Sequence, residues 1–258
     1  MGLGDELMAL GEANALHEQG MPRIAIHDKR GKRREHPLWR PYPWIVGPRD
    51  HQDAYSIRNG SGCRPYIETI TPERYVWKEY KPIPAPRPFV PTSRPTRAPY
   101  IVLEPTVKAG PDSNKDWGWE KWRWLLQDLR SAYPSYDFVQ VGPAGTPHLH
   151  PAVIHVTTPT FESAMAVLGN ARALVTTEGA LHHAAAALRI PAVVLFGGFI
   201  SPKVTGYAGQ ASIYQAAERL GCGSRRKCDH CRGAMERVTV YEVVQAVRVI
   251  MGPRPERC

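Results

Sequence analysis

Three groups of residues in this sequence are chemically equipped. The first lies in residues 171–208, ARALVTTEGALHHAAAALRIPAVVLFGGFISPKVTGYA. A short apolar run (173–176) leads to a tight turn at Glu178-Gly179 and then to an Ala-rich helical run (182–188). A second apolar run (192–196) leads to a loop carrying Gly197, Gly198, Ser201, Pro202 and Lys203. Both loops fall at the carboxyl ends of expected strands, the edge at which parallel α/β sheets bind ligands. A helix that opens at a Gly turn offers free N–H groups and a positive dipole end, which suits phosphate.

The second group is Asp5 within Gly2-Leu3-Gly4-Asp5. On a Gly-flanked loop a substrate can approach closely, and the carboxylate can serve as a general base. An Asp just before an apolar-periodic helix is equally a good N-cap. The third group is Cys222-x5-Cys228-x2-Cys231 with His230 inside it. That is metal-ligand spacing, with Cys63, Cys258 or His230 available as a fourth ligand. A structural Zn or Fe would stiffen a loop too polar to pack by itself; the alternatives are free thiols or a single disulfide. No Asp/His set with an open position points to a catalytic metal.

The elements that must position these groups are legible in order. Leu7, Leu10, Ala13 and Leu16 recur at helical spacing, and residues 22–27 read as a strand. Residues 28–97 change character: a basic run (29–34, KRGKRR) precedes a Pro- and aromatic-rich stretch with extended pieces near 43–46 and 74–77. Prolines exclude central strands and helix interiors there. The predicted organisation is an irregular, reduced lobe over 1–97 that ends in a linker, 81–96, stiffened by polyproline II segments. The basic run with flanking aromatics is either a solvated loop or a surface for phosphate backbone and stacked bases.

From residue 98 the pattern is regular. Strands are expected at 100–103, 136–141, 154–156, 173–176 and 192–196, and helices at 117–132, 161–168, 182–188 and 239–251. Trp119, Trp122 and Leu126 form the apolar side of the first of these helices. Val240, Val243, Val244, Val247 and Ile250 form that of the last, with Thr239 as its N-cap. Strands alternating with helices mean βαβ units and a doubly wound parallel sheet over 98–258.

At 258 residues the chain is long enough for one large or two small domains, and its net charge of +9 favours an acidic partner such as a nucleotide, nucleic acid or anionic surface. The N-terminus lacks the basic region and apolar stretch of a signal peptide, and no apolar run approaches the roughly 20 residues that span a bilayer. Five cysteines without a secretory signal suit a reducing compartment, so a cytoplasmic location is expected.

Taken together, several ordered pieces resemble the heptosyltransferase-type (family 9) glycosyltransferases of GT-B fold. Gly2-Leu3-Gly4-Asp5 is similar to the family's N-terminal G-x-G-D loop, and Lys115-Asp116-Trp117 to its K-x-W element. Glu178-Gly179-Ala180-Leu181-His182 followed by Ala184-Ala185-Ala186 is similar to its D-(S/T)-G-x-x-H-x-A-A segment. Leu195-Phe196-Gly197-Gly198 with Ser201-Pro202 and Thr205-Gly206-Tyr207 resembles its F-G-x-(T/S)-x-P…T-G-P-Y loop. Residues 235–243, MERVTVYEV, resemble its closing segment.

The resemblance implies a GT-B-like α/β fold whose C-terminal Rossmann-like domain (98–258) binds a nucleotide-sugar, with 1–97 as a reduced acceptor-side lobe. It implies an inverting transfer of sugar from a nucleotide-diphosphate donor to an acceptor hydroxyl without a catalytic metal. Asp5 would take the acceptor proton. Gly4, Lys115, Thr177, Glu178, Gly179, His182, Gly197, Gly198, Ser201 and Lys203 would line the donor site. Lys115 and His182 are expected to meet phosphate, Gly179 to permit the turn, and His183 to pack elsewhere on the helix. Arg225, Arg226 and Lys227 face either the diphosphate or solvent. The family's acidic residue two before the motif Gly is Thr177 here, with Glu178 adjacent. That acid is expected to contact the donor sugar, so this pair bears on which sugar is held. Some family members carry Cys-rich segments near the third group, a few with bound metal. The acceptor is a saccharide, a small molecule or nucleic acid; the competing readings are a nucleic-acid-binding module and a glycosyltransferase acting on modified DNA.

Overall fold

The computed structural model describes residues 2–50, 52–88, 90–91, 93–108 and 110–252. The chain opens with α1 (Leu3–Glu18), which buries Leu7, Met8, Leu10 and Ala13. Its N-cap is Gly2, whose N–H donates to Asp5 Oδ2 at 3.1 Å. Asp5 therefore stands in the first helical turn, reaching back to the cap; it is neither the N-cap nor a loop residue. Acidic Asp5 and Glu6 in that turn complement the helix dipole.

Strand β1 (Ile24–His27) lies between β2 (Ile45–Val46) and β3 (Tyr55–Arg58), and both pairings are parallel. The expected irregular lobe thus holds a small parallel sheet. β3 escapes sequence reading because only Ile57 of its four residues is buried. An antiparallel hairpin of β4 (Ile67–Ile70) and β5 (Tyr75–Trp77) follows. The Pro-rich tract is not a free linker. A Cβ on Gly11 of α1 would lie 2.0 Å from the Ile83 carbonyl oxygen, so the glycine lets the tract cross the helix directly. Ala85 is buried and Asn170 Nδ2 donates to Ser93 O at 3.1 Å, so the tract is a strap packed against the body.

The basic run is partly committed as well. Arg34 donates to both carboxylate oxygens of Glu6 at 2.6 and 2.8 Å and sits over the Trp39 ring, while Arg33 Nη2 donates to the Gln52 carbonyl at 2.9 Å.

The second half runs β6 (Tyr100–Glu104), a 3-10 turn at Gly110–Lys115, α2 (Trp119–Ala132), β7 (Asp137–Gly142), β8 (Ile154–Thr157), α3 (Phe161–Leu168), β9 (Ala173–Thr177), α4 (Ala180–Leu188), β10 (Ala192–Phe196), α5 (Pro202–Thr205), β11 (Ala211–Tyr214), α6 (Asp229–Arg237) and α7 (Val240–Met251). The six strands pair in the order β11-β10-β9-β6-β7-β8, all parallel. Counted from β6, that is the doubly wound order of a dinucleotide-binding sheet, with the reversal between β6 and β9. Every residue of β6, β9 and β10 is buried, which is why these strands read as continuous apolar runs. α5, β11 and α6 have no such runs, and none is evident in the sequence.

The sheet's two faces carry separate cores. Trp122, Leu125, Leu195, Val243 and Val247 pack beneath α2 and α7. On the other face Val102, Leu174, Ala184, Val194 and Phe196 are continuous with Leu7, Leu10, Ile24 and Trp39 of the N-terminal region. α1 and α4 pack against each other across this face. Among the described residues no helix is long and apolar enough to cross a membrane.

Candidate functional site

The packing of α1 on α4 determines what meets what. A Cβ at Gly4 would fall 2.4 Å from Cδ2 of His183, so the missing side chain admits that ring and draws the two helix starts together. Asp5 lies next to this contact, buried at 7% exposure. Its Oδ1 accepts from the Tyr66 hydroxyl, and Arg64 Nη2 lies 3.1 Å from Oδ2. Tyr66 is fully buried, which with the neighbouring Asp5 carboxylate raises its hydroxyl well above the ordinary value and keeps it a donor.

Across from Asp5 are the carboxyl ends of β6 and β9, the switch point of the sheet. Thr177 ends β9 and is buried, and Glu178 follows it. Glu178 pairs through Oε2 with Lys115 Nζ, accepts at Oε1 from Thr205 Oγ1 at 3.2 Å, and has His183 Nε2 4.0 Å away. Burial alone would raise the Glu178 carboxyl; the Lys115 ammonium and neighbouring His182 bring it below its ordinary value instead. Lys115 also stands 5.2 Å from the centre of the Phe199 ring. Asp5, Gly4, Lys115, Thr177 and Glu178 thus belong to one constellation, with His183 as the link between its halves.

Two expectations change. Both ring nitrogens of His182 are spent inside the chain: Nδ1 accepts from the Gly179 N–H at 3.0 Å, so Nε2 donates to the Thr205 carbonyl at 3.0 Å. The ring has no exposed surface, and burial lowers its basicity. It ties Glu178-Gly179 to α5 and presents no proton to a phosphate in this conformation. Gly179 is extended at φ 172°, a conformation open to any residue, and a Cβ there would meet nothing nearer than the Thr177 carbonyl oxygen at 3.9 Å. The turn does not demand glycine; what glycine leaves is open space beside Glu178.

His183, expected only to pack, bonds the Tyr207 hydroxyl through Nδ1 at 2.9 Å. Burial holds His183 well below its usual range, so the neutral ring carries one proton; placed on Nε2, which lies 4.0 Å from Glu178 Oε1, it leaves Nδ1 to accept from the Tyr207 hydroxyl. No spacing rule separates two adjacent histidines; only the packing of α1 does. Glu104 is the other addition. It ends β6 beside Thr176 of β9, is buried, and accepts at Oε1 from the Thr106 N–H at 3.0 Å and from its hydroxyl. Burial pushes its carboxyl up to about 7. A carboxylate ending the strand beside the switch point is the signal that marks it in sequence.

The Gly-Gly loop turns elsewhere. A Cβ on Gly197 would meet Asn114 O at 2.8 Å and Met235 Sδ at 2.9 Å, and one on Gly198 would meet His230 Cε1 at 2.6 Å. Both glycines accommodate the cysteine segment, so their closeness is to protein. Ser201 caps α5 by accepting from the Lys203 N–H at 3.1 Å, and the Lys203 side chain is exposed.

The cysteine group converges. Ligand atoms of Cys222, Cys228, His230 and Cys231 all lie within 4.8 Å of one another, with the Cys222 and Cys231 sulfurs 3.1 Å apart. His230, not Cys63, completes the set: Cys63 lies beside Gly60 and His27, and Cys258 falls outside the described residues. His230 Nε2 is 2.5 Å from Glu218 Oε2, and the buried Nδ1 has no hydrogen-bond partner among the described residues. An S₃N set around Zn²⁺ or Fe²⁺, with bonds of about 2.0–2.3 Å, brings ligand atoms to roughly 3.5–4 Å, and a carboxylate on the second ring nitrogen is the usual support. The residues fit such an ion. Hydrogen bonding between the two thiols lowers that of Cys222 and raises that of Cys231. Arg225 turns away from both sites, lying over the Tyr75 ring and donating to Thr71 O at 2.8 Å.

No protein-family model and no curated protein matches the chain. Solved structures do. TibC from enterotoxigenic E. coli H10407, an iron-containing dodecameric glycosyltransferase, superimposes with a TM-score of 0.63 at 16% identity, over 97% of this chain and 73% of that one. TibC in complex with ADP-D-β-D-heptose gives 0.58 at 15% identity, over 83% and 65%. E. coli heptosyltransferase WaaC with ADP gives 0.56 at 17% identity, over 97% of each chain. The chain has the GT-B-like fold of the heptosyltransferases. The resemblance read from the ordered motifs is thus matched by shape. The chain spans only 47% of the length of E. coli ADP-heptose LPS heptosyltransferase II, a match covering 60% of this chain at 20% identity with a TM-score of 0.47.

Proposed function

We propose that this protein is a glycosyltransferase that moves a sugar from a nucleoside-diphosphate-sugar to an acceptor hydroxyl. The observation that carries the reading is the position of the Lys115–Glu178 pair at the switch point of a doubly wound sheet, with Asp5 brought opposite by the α1–α4 contact. Structures of similar fold hold ADP and ADP-heptose, which makes ADP the first nucleotide to test. The division of labour is a donor domain over 98–258 and an acceptor-side lobe over 1–97.

In this reading the diphosphate sits against Lys115, whose charge offsets what develops on the leaving phosphate as the sugar C1–O bond breaks. Glu178, adjoining the clearance at Gly179, accepts from donor-sugar hydroxyls. Asp5 takes the proton of the acceptor hydroxyl as that oxygen attacks C1 from the opposite face, which inverts the centre. Arg64 and Tyr66 aim the Asp5 carboxylate. No step requires a metal ion; an ion at the cysteine cluster would have a structural role.

Thermal unfolding with ADP, UDP, GDP and CDP tests the site before an acceptor is known. Saturation at about 100 times Kd adds about 2.7 kcal/mol, roughly 5–10 °C for a chain of this size. Asp5→Asn keeps that protection and lowers transfer or donor hydrolysis about 10²–10⁴-fold. If none of the four nucleotides raises the melting temperature, the proposal fails.

A further inference from the structure

The cysteine cluster and the Lys115–Glu178 pair belong to different parts of the chain, and Asn114 makes contact with the first while adjoining the second. Asn114, 4% exposed, immediately precedes Lys115 at the end of the 3-10 turn. Its carboxamide is turned to the cysteine segment. Nδ2 donates to Arg226 O at 2.8 Å and reaches Ser224 O at 3.4 Å, and Oδ1 accepts from the Cys228 N–H at 2.9 Å. Its own carbonyl oxygen lies where a Cβ on Gly197 would stand, 2.8 Å off, so the glycine admits the turn.

The same segment is pinned from other sides. The Cys222 and Gly223 N–H groups donate to Gly198 O and Phe199 O at 2.8 and 2.9 Å, and Phe199 is the ring beside Lys115. Tyr75 N–H donates to Gly223 O at 2.8 Å, and a Cβ at Gly223, which has φ +65°, would lie 1.9 Å from Tyr75 O. A side chain buried this deeply, with both ends of its amide bonded to the backbone of one loop, reports the conformation of that loop to its neighbour in sequence.

We propose that Asn114 is a positioning residue coupling the cluster to the donor site, so that metal ligation by Cys222, Cys228, His230 and Cys231 strengthens nucleoside-diphosphate binding at Lys115. The physical argument is one of order. With an ion bound, the backbone at Ser224, Arg226 and Cys228 has one conformation, and Asn114 holds Lys115 against Glu178 and Phe199. Without it the polar loop samples others, and the site is competent for only a fraction of the time, which weakens apparent affinity by that fraction. The inference rests on the nucleotide-binding reading above.

The test is calorimetric titration of the full chain with ADP, after loading with Zn²⁺ or Fe²⁺ at measured stoichiometry and again after chelation. For the wild type, loading tightens ADP binding about tenfold, the effect of roughly 1.4 kcal/mol of order in the loop. Asn114→Ala and the isosteric Asn114→Asp still bind one metal ion, yet their ADP affinity no longer depends on it. A residue that merely supports the fold would lower the melting temperature and leave the loaded-to-chelated ratio intact. Wild-type ADP binding that is equal in the two states overturns the coupling alone, as does a tenfold ratio that survives in both variants. An absence of stoichiometric metal overturns the cluster and the coupling. If ADP binds in neither state, the titrations are run with UDP, GDP and CDP; if none of the four binds, the nucleotide reading fails and the coupling with it.

Discussion

Replacing Glu178 by Gln probes the centre of the site with little change of shape. The pair with Lys115 is buried: Glu178 is 7% and Lys115 9% exposed. At a contact separation of about 3 Å and an effective dielectric constant of about 20, two unit charges attract by roughly 5 kcal/mol. Glu178→Gln keeps the hydrogen bond from Thr205 but leaves the ammonium buried without its carboxylate. The Phe199 ring already faces Lys115 in the wild type, so it offers the unpaired ammonium no new partner. The expected loss is about 3–5 kcal/mol, the range for breaking one half of a buried pair, or a melting point lower by about 6–20 °C. Lys115→Met is destabilising for the converse reason. The double variant, with neither charge, recovers most of the loss, so a double-mutant cycle in urea gives a coupling energy of roughly 5 kcal/mol. ADP binding separates the two singles: Lys115→Met loses about 10–100-fold, the value of a charge-assisted phosphate contact, whereas Glu178→Gln binds at least as well as wild type. Single variants within about 1 kcal/mol of wild type, or strictly additive effects in the double, would refute the reasoning.

Glu104 carries the pH dependence. Its carboxyl is raised from 4.5 to about 7 in the folded chain, so between those values the native state holds a proton that the unfolded state has released. Stability contributed by this group is complete below about pH 4.5 and is lost as pH rises through about 7, a difference of roughly 3 kcal/mol. Glu104→Gln abolishes that dependence, so melting curves at pH 5 and 8 should converge for the variant; an unaltered slope counts against the assignment. At the cluster, Gly198→Ala drives a methyl into the His230 ring and should lower Zn²⁺ affinity about 10–100-fold in chelator competition, with an unchanged affinity as the contrary result.

The inner second-half strands β6, β9 and β10 were legible because their burial on both faces leaves continuous apolar runs, as in AVVLF of β10. In the first half β1 and β2 were read as extended, but β3 and the sheet it completes were not. β3 buries one residue of four, and its partner β1 lies 31 positions upstream in register, Ile24 opposite Tyr55. Such a strand is defined by its pairing, not its composition. The Pro-rich tract was legible as non-helical and non-sheet, but its docking on Gly11 depends on a helix that composition does not bring near.

By itself the sequence indicated a doubly wound parallel sheet, since alternating strand and helix periods leave few other topologies; it singled out Asp5, the Glu178-Gly179 turn and the three clustered cysteines by type and spacing, and Lys115 through the family resemblance. Tertiary packing decided which of those groups face one another. It turned His182 inward onto Gly179 and Thr205, set His183 against Gly4, chose His230 over Cys63 for the cluster, and placed Asn114 between cluster and lysine. The physical reason is range. Periodicity and capping are settled within a few residues of chain, whereas a buried polar side chain takes whatever partner the fold brings to it, from anywhere in the sequence.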